Sequence, residues 1–286
     1  MTKRNEFRFT ERLRVRRAEV DSRELVFHAH YLTYFDAAVT GYWRALGVPC
    51  EEIPKHLGGD LGVTRATLEY RLPARFDDVL DIGIACHRVD TAAIVFNAAV
   101  FRQDRALATA ELSYAVADAA TQGAKRLPHE LRELLHGFEA GRSMVDVRVG
   151  SWDVLAVDAR GIRTSVFIRE QGIPEHMEWD NADSGCVHAV AYNHFGVPLA
   201  TGRLIEHVPG MAKIGRMAVT QAVRGSGVGR AVLDALMKAA RERGYREAVL
   251  HAQVSAAPFY GRAGFVARGS VFDDVGIPHI EMVCSL

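Results

Sequence analysis

The pattern of apolar residues changes near residue 140, and this change constrains the fold more than any other feature of the sequence. Before it, one aromatic-rich helical run is followed by strand-like runs in succession. Tyr31, Tyr34, Phe35, Ala38, Tyr42, Ala45 and Leu46 recur at helical spacing, and Gly47 with Pro49 stops the run. Leu61–Tyr70, Val79–Arg88, Ala92–Arg102 and Leu107–Ala117 then read as strands, separated by short turns such as Pro73–Asp78 and Gln103–Arg105. An earlier strand is read from Phe7, Phe9, Leu13 and Val15, which alternate with Arg8, Arg12, Arg14 and Arg16. A short helix around Leu131, Leu134, Leu135 and Phe138 closes the segment. One buried helix followed by an antiparallel meander is an α+β layer arrangement.

After Glu139–Ser143 the pattern becomes mixed α/β. A helix is expected near Ser151–Gln171, with strands at Cys186–Asn193, Val197–Glu206 and Lys213–Val219. Asn193-His-Phe-Gly196 turns the first two of these strands into a hairpin. A long helix runs from about Val228 to Arg243 and stops at Gly244. Strand Ala248–Gln253, helix Ala256–Gly261 and strands near Phe265 and Ile280 complete the chain. The expected division is a first domain over 1–138, a linker over 139–149 and a second domain over 150–286.

Composition excludes several classes. The 286 residues are 49% hydrophobic and 24% charged, the values of an ordinary globular chain and not of a disordered or collagenous one. Lys+Arg and Asp+Glu are 35 each, so no overall field draws the chain to nucleic acid or an anionic membrane. The arginine face of the first strand then reads as a solvated edge and not as a nucleic-acid patch. Cys50, Cys86, Cys186 and Cys284 are scattered without a CxxC pair, which fits reduced thiols in a cytoplasmic protein. The charged start MTKRNEFRF never enters an apolar run, so no secretory signal is expected. Ala92–Phe101, the longest apolar stretch, is broken by Asn97 and is too short to span a bilayer.

Two stretches carry chemistry. In the second half, Gln221-Ala-Val-Arg224-Gly225-Ser226-Gly227-Val228-Gly229 lies between a strand and the long helix. Glycines there let backbone N–H groups converge on an anion at a helix N-terminus, and Arg224 adds a charge-assisted contact. The same glycines also serve as plain structural punctuation. The run is neither a Walker loop nor a dinucleotide fingerprint. With Arg216-Met217-Ala218-Val219 before it and Ala257-Pro-Phe-Tyr260-Gly-Arg-Ala-Gly264-Phe265 after it, the stretch resembles the pyrophosphate loop and terminal motif of the GCN5-related N-acetyltransferases (GNAT). Val166-Phe-Ile-Arg-Glu170-Gln171-Gly-Ile-Pro174 and Gly276-Ile-Pro-His279 resemble the ElaA-like subgroup, and the first also resembles autoinducer synthases. The resemblance covers about residues 150–286 and implies a GNAT fold that transfers an acyl group from CoA to an amine. It places Met217, Ala218, Val219, Arg224, Gly225, Ser226, Gly227, Val228, Gly229 and Gln253 on CoA. Gln253 stands where asparagine is commoner. Tyr260 becomes the acid for the departing thiolate, a role for which its ordinary pKa near 10 suits it. Tyr260 also reads as a buried helix aromatic. Glu206, Glu170 and His251 are open as the base.

In the first half, Glu19-Val-Asp21-Ser-Arg-Glu-Leu-Val-Phe-His28-Ala-His30-Tyr31 precedes the aromatic helix. A carboxylate there can be brought to the helix N-terminus, whose N–H groups offer an oxyanion site; an Asp in this position also reads as a cap or turn residue. The segment resembles the YbgC-like and 4-hydroxybenzoyl-CoA thioesterases of the hotdog fold, with support from Thr67-Leu-Glu69-Tyr70 and Pro73–Leu80. The resemblance covers about residues 8–135. It implies a central helix wrapped by an antiparallel sheet, Asp21 as nucleophile or base, His28 in the same site, and a homodimer or larger homo-oligomer through this half. Ser22-Arg23-Glu24 stands where that family usually has a glycine-containing loop. His28 and His30 lack a third ligand at metal spacing, so no metal is expected.

The combined expectation is an α+β two-domain chain, a hotdog followed by a GNAT mixed α/β domain. It would hydrolyse acyl-CoA in the first half and acylate an unidentified amine in the second. Acetyl-CoA or acyl-CoA is its substrate, and no cofactor is held permanently. The alternative is an active acetyltransferase half joined to a dimerising scaffold or acyl-CoA sensor.

Overall fold

In the computed structural model, which describes residues 2–117 and 123–286, the chain divides into two units, Met1–Met144 and Val145–Leu286. The first holds β1 (Phe9–Arg14), α1 (His30–Ala45), α2 (Ile53–Leu57), β2 (Leu61–Tyr70), β3 (Val79–Val89), β4 (Ala93–Arg102), β5 (Arg105–Val116) and α3 (His129–Glu139). Its five strands lie in the order β1-β3-β4-β5-β2, each pair antiparallel. Short turns between β3, β4 and β5 leave no room for a crossover, which fixes the antiparallel sense.

The core of this unit lies between α1 and one face of the sheet. Tyr31, Tyr34, Phe35, Ala38, Tyr42 and Trp43 form the buried stripe of α1. Ile82, Ile84, Ile94, Phe96 and Leu112 are fully buried strand residues. Tyr42 meets Phe96 and Phe138 edge-on, at 5.4 and 5.1 Å between ring centres. Its hydroxyl donates to Glu139 at 2.6 Å, and the same carboxylate oxygen accepts the Cys86 N–H at 2.8 Å, joining α1, α3 and β3. The arginines of the first strand are answered by the chain's own carboxylates: Arg12 by Asp81, Arg14 by Asp77, Arg16 by Glu19.

The second unit holds β6 (Val145–Gly150), α4 (Trp152–Arg163), α5 (Glu175–Glu178), β7 (Val187–Asn193), β8 (Pro198–Val208), β9 (Met211–Val219), α6 (Val228–Glu242), β10 (Glu247–Gln253), α7 (Ala257–Gly261), β11 (Val266–Asp274) and β12 (Ile277–Ser285). They form a seven-stranded sheet in the order β11-β12-β10-β9-β8-β7-β6. Only β9 and β10 pair in parallel, because α6 carries the chain across the face between them. Alternation along β7 separates two cores. Ala189 and Ala191 face the α6 side with Val232, Leu233 and Leu236, while Val190 and Tyr192 face α4 with Trp152, Leu155 and Ile162.

Two differences from the expected elements stand out. Residues 145–149 of the segment expected as a linker, together with Gly150, form strand β6, which pairs with β7 through six residues. Val145, Val147 and Val149 do alternate with Asp146 and Arg148, a short strand signal. The helix expected over Ser151–Gln171 is α4 followed by a π-helical stretch, Thr164–Glu170. That wider stretch brings Glu170 and Gln171 to the site described next.

Candidate active sites

In the second unit, β9 and β10 pair only through Glu247↔Met211, Ala248↔Ala212 and Val249↔Lys213. Beyond those pairs both strands continue without meeting. A register shift against β8 between Thr201 and Arg203, with Arg216 at φ +52°, bends β9 away. The gap opens into a cavity of about 650 Å³. Met217, Ala218, Val219, Arg224, Gly225, Gly227, Gly229, Gln253 and Tyr260 all line it.

The floor of this cavity is the glycine-rich turn. Gly227 caps α6 at φ +91°, a left-handed conformation that side-chain-bearing residues rarely adopt. Gly229 is required by space: a Cβ there would sit 3.0 Å from a Val219 methyl. The N–H groups of Gly225 and Gly227 have no partner among the described residues. Those of Val228 and Gly229 head α6, where no intrahelical carbonyl reaches. The turn thus offers a row of donors and a helix dipole to an anion. Two residues expected on CoA turn their side chains away from the cavity. The Ser226 hydroxyl and N–H both donate to the Val223 carbonyl, at 2.6 and 3.3 Å, and the Val228 side chain is buried in the core. Of the two, the Val228 backbone N–H is the group left to meet a ligand.

Arg224 does not wait free. Its two terminal nitrogens donate to both oxygens of Glu170, each at 2.6 Å, and its Nε donates to the Val219 carbonyl at 3.0 Å. That guanidinium holds the Glu170 carboxyl below the usual carboxylate range. Tyr260 is 9% exposed, and its hydroxyl has no hydrogen-bond partner among the described residues. Burial pushes its pKa up to about 12, so the phenol keeps its proton at neutral pH.

A second cavity of about 340 Å³ adjoins the first and shares Gln171, Met217, Gln253, Ala256 and Tyr260 with it. Its further lining includes Glu178, Lys213, Arg216, His251, Asp274 and His279. His251 Nδ1 lies 3.3 Å from Lys213 Nζ, and its Nε2 lies 3.7 Å from Glu281. Burial and the Lys213 ammonium lower the His251 pKa. Glu206 is exposed and lines neither cavity. Beneath this cavity lies a charged network without a sequence expectation. Arg163, 1% exposed, donates to Glu178 and to both oxygens of Asp183, while Arg203 binds Asp180 and Asp183. Arg163 sits on the apolar stripe of α4 after Ile162 and Ala159, and this misplacement was a readable signal.

In the first unit, Asp21, Arg23, His28, Tyr31, Tyr70 and Pro73 line a cleft of about 340 Å³ beside the α1 N-terminus. The Asp21 carboxylate accepts the N–H groups of Arg23 (2.8 Å) and Leu25 (3.1 Å) on one oxygen. Its other oxygen accepts Nε and Nη2 of Arg23, at 3.1 and 2.9 Å. The Arg23 side chain, followed by the Leu25 N–H, holds this carboxyl below its usual range. The loop closes with Glu24 at φ +61°, the conformation for which glycine is suited. Among the described residues the N–H groups of His28 and Ala29 find no acceptor. Behind Asp21, buried Glu19 accepts from Arg16 and from the Tyr34 hydroxyl at 2.9 Å and fixes the loop on α1. Arg23 as partner of Asp21 was missed from sequence, although two residues of separation put it in reach.

A helix wrapped by an antiparallel sheet, with a carboxylate at its N-terminus, and a mixed sheet splayed above a glycine-rich anion turn together define a two-domain acyl-CoA enzyme architecture. Residues 158–286 match the family model described as the acetyltransferase (GNAT) domain, and residues 24–109 match that of the thioesterase superfamily. Through its second unit the chain belongs to the GNAT acetyltransferases, and its first unit has the hotdog fold and contains the thioesterase-superfamily match. The uncharacterized N-acetyltransferase YjcF of Bacillus subtilis is 36% identical over 127 residues, 44% of this chain and 89% of that protein. An Aquifex aeolicus protein named "Putative esterase" is 28% identical over 106 residues, 37% of this chain and 82% of its own. The crystal structure of an acyl-CoA N-acyltransferase from Pseudomonas aeruginosa is 32% identical, with a TM-score of 0.45. It covers 49% of this chain, and this chain covers 99% of it. Among the described residues no group of three or more His, Cys, Asp or Glu is placed to hold a metal, and no helix is long and apolar enough to cross a membrane.

Proposed function

We propose that the chain is a bifunctional acyl-CoA enzyme, transferring an acyl group from CoA to an amine in the second unit and hydrolysing acyl-CoA in the first. The observation that carries the transferase reading is the gap between β9 and β10. It is a slot bounded by unpaired strand edge, floored by anion-binding N–H groups and closed by Tyr260. Pantetheine would run along β9 at Met217–Val219, with the diphosphate on the Gly225–Gly229 turn and Arg224. Tyr260 would protonate the leaving thiolate, a proton transfer worth about 10²–10⁴ in rate.

In the first unit Asp21 would activate water against a thioester whose carbonyl oxygen meets the His28 and Ala29 N–H groups. His28 lines the same cleft. β2 ends the sheet with most of its residues exposed, and Tyr70 at its end borders this cleft. A second copy paired along β2 would complete the site, so the protein is proposed to be a homodimer, tested by light scattering. A second reading, with the hotdog unit as a binding scaffold, is favoured by one observation: Arg23 and Leu25 already occupy both Asp21 oxygens.

Thiol release from a panel of acyl-CoAs without an amine tests both. Hydrolysis lost in Asp21→Asn and kept in Tyr260→Phe supports the bifunctional reading. Absence of release from every thioester supports the scaffold reading. Acylation of added amines should fall about 10²-fold in Tyr260→Phe with acetyl-CoA binding unchanged.

A further inference from the structure

We infer that His279 is the proton acceptor for the amine, acting from the second cavity through its Nε2; this rests on the acyl-transfer reading of that unit. His279 Nδ1 lies 2.8 Å from the Ile277 carbonyl oxygen. A carbonyl only accepts, so in the neutral ring Nδ1 carries the hydrogen and Nε2 the lone pair. The ring is half-buried and lines the second cavity. β12 holds it directly opposite Gln253 in the β10 ladder. Gln253 lines both cavities and donates to Gln171 at 3.1 Å. His279 therefore sits on the rung of Gln253, which both cavities share, and lines the second cavity together with Tyr260.

The other candidates are engaged. Both oxygens of Glu170 are held by Arg224. Glu178 is bound by Arg163 and Arg216. His251 meets Lys213 at one nitrogen and Glu281 at the other. Asp274 is exposed on β11, where water solvates its carboxylate. The groups around His279 are Gln253 and His251 from β10, Phe272 and Asp274 from β11, Lys213 from β9 and Glu281 from its own strand. Phe272 stacks on the imidazole at 6.0 Å and fixes its plane.

The step balances as follows. The acceptor ammonium gives one proton to Nε2 of His279, which passes it to water. The neutral nitrogen bonds to the thioester carbonyl carbon, and the carbon–sulfur bond breaks. Sulfur takes the Tyr260 proton, and the second proton lost by nitrogen restores the phenol. The products are an amide, CoA thiol and one released proton.

The test assays wild type, His279→Gln and His279→Ala with acetyl-CoA and two acceptor panels, alkylamines and arylamines, from neutral to alkaline pH. Calorimetry of acetyl-CoA binding shows that each variant is folded and loaded. Alkylamine acylation should fall about 10²-fold at neutral pH. The deficit should close as pH approaches the alkylamine's own pKa, and it should be absent with arylamines, which arrive neutral. An equal deficit at every pH and in both panels makes His279 structural and overturns the inference, as does no deficit. If wild type binds acetyl-CoA and acylates no amine, the acyl-transfer reading fails and takes this inference with it.

Discussion

Replacing Glu170 by glutamine should tighten CoA binding, although Glu170 stands beside the site and its loss would be expected to harm a catalytic base. In the free protein its two oxygens occupy the terminal nitrogens of Arg224, each at 2.6 Å. The CoA diphosphate must displace that carboxylate to reach the guanidinium. The side chains are 36% and 42% exposed, so the pair belongs with surface ion pairs. Such pairs are worth about 0.2–1 kcal/mol, and the bidentate geometry places this one near 1. Arg224 keeps its bond to the Val219 carbonyl in the variant and is not released into solvent. CoA should then bind roughly fivefold more tightly, since 1.4 kcal/mol is a factor of ten. Calorimetry with CoA and with pantetheine, which lacks the diphosphate, checks this. The gain should appear with CoA alone and shrink as salt is added. An unchanged or weaker CoA affinity, or an equal gain with pantetheine, would refute the latch.

Arg163→Met should destabilise the second unit by about 3–5 kcal/mol, because it leaves Glu178 and Asp183 buried short of a cation. Urea unfolding followed through Trp152 and Trp179, which flank Arg163, reads it, and a change under about 1 kcal/mol would reject the assignment. Burial raises the Asp183 pKa, but Arg163 and Arg203 outweigh it and hold the group below its ordinary value. That stabilisation is full above the unfolded-state pKa and is lost as pH falls through the folded one, so the gap to wild type should narrow in acid. Arg23→Ala should move the Asp21 titration, followed by carboxyl NMR, up toward its ordinary value; an unmoved titration would show that the clamp is not formed in solution. At Glu24, held at φ +61°, glycine should be tolerated, whereas valine should cost about 1–2 kcal/mol in thermal unfolding.

Much of this was legible because the sequence patterns are local. The first strand follows from period-two alternation and the next four from runs bounded by short turns, and β2 runs over the same residues, Leu61–Tyr70, that its run outlines. The Arg224–Gly229 turn was legible because φ and close packing demand glycine at fixed offsets. What escaped depends on partners far apart in the chain. No spacing tells that Glu170 closes on Arg224, 54 residues away, or that β12 lays His279 against Gln253. The motif places Ser226 and Val228 in the turn but does not say that their side chains face the interior. Strand β6 was overlooked because its six residues follow a turn and carry two charges.

The three-residue pairing of β9 with β10 is also the seam of the second unit. Among the described residues it is the only ladder joining β10, β12 and β11 to the four strands on the other side. A ligand lying along the splayed edges would act as a missing rung, supplying contacts that the polypeptide omits. If CoA is that ligand, as proposed, folding stability becomes a gauge of its supply: at a hundred times its dissociation constant, a ligand bound only by the native state adds about 2.7 kcal/mol. The protein would be sturdiest when acyl-CoA is plentiful and most open to unfolding and proteolysis when it is scarce.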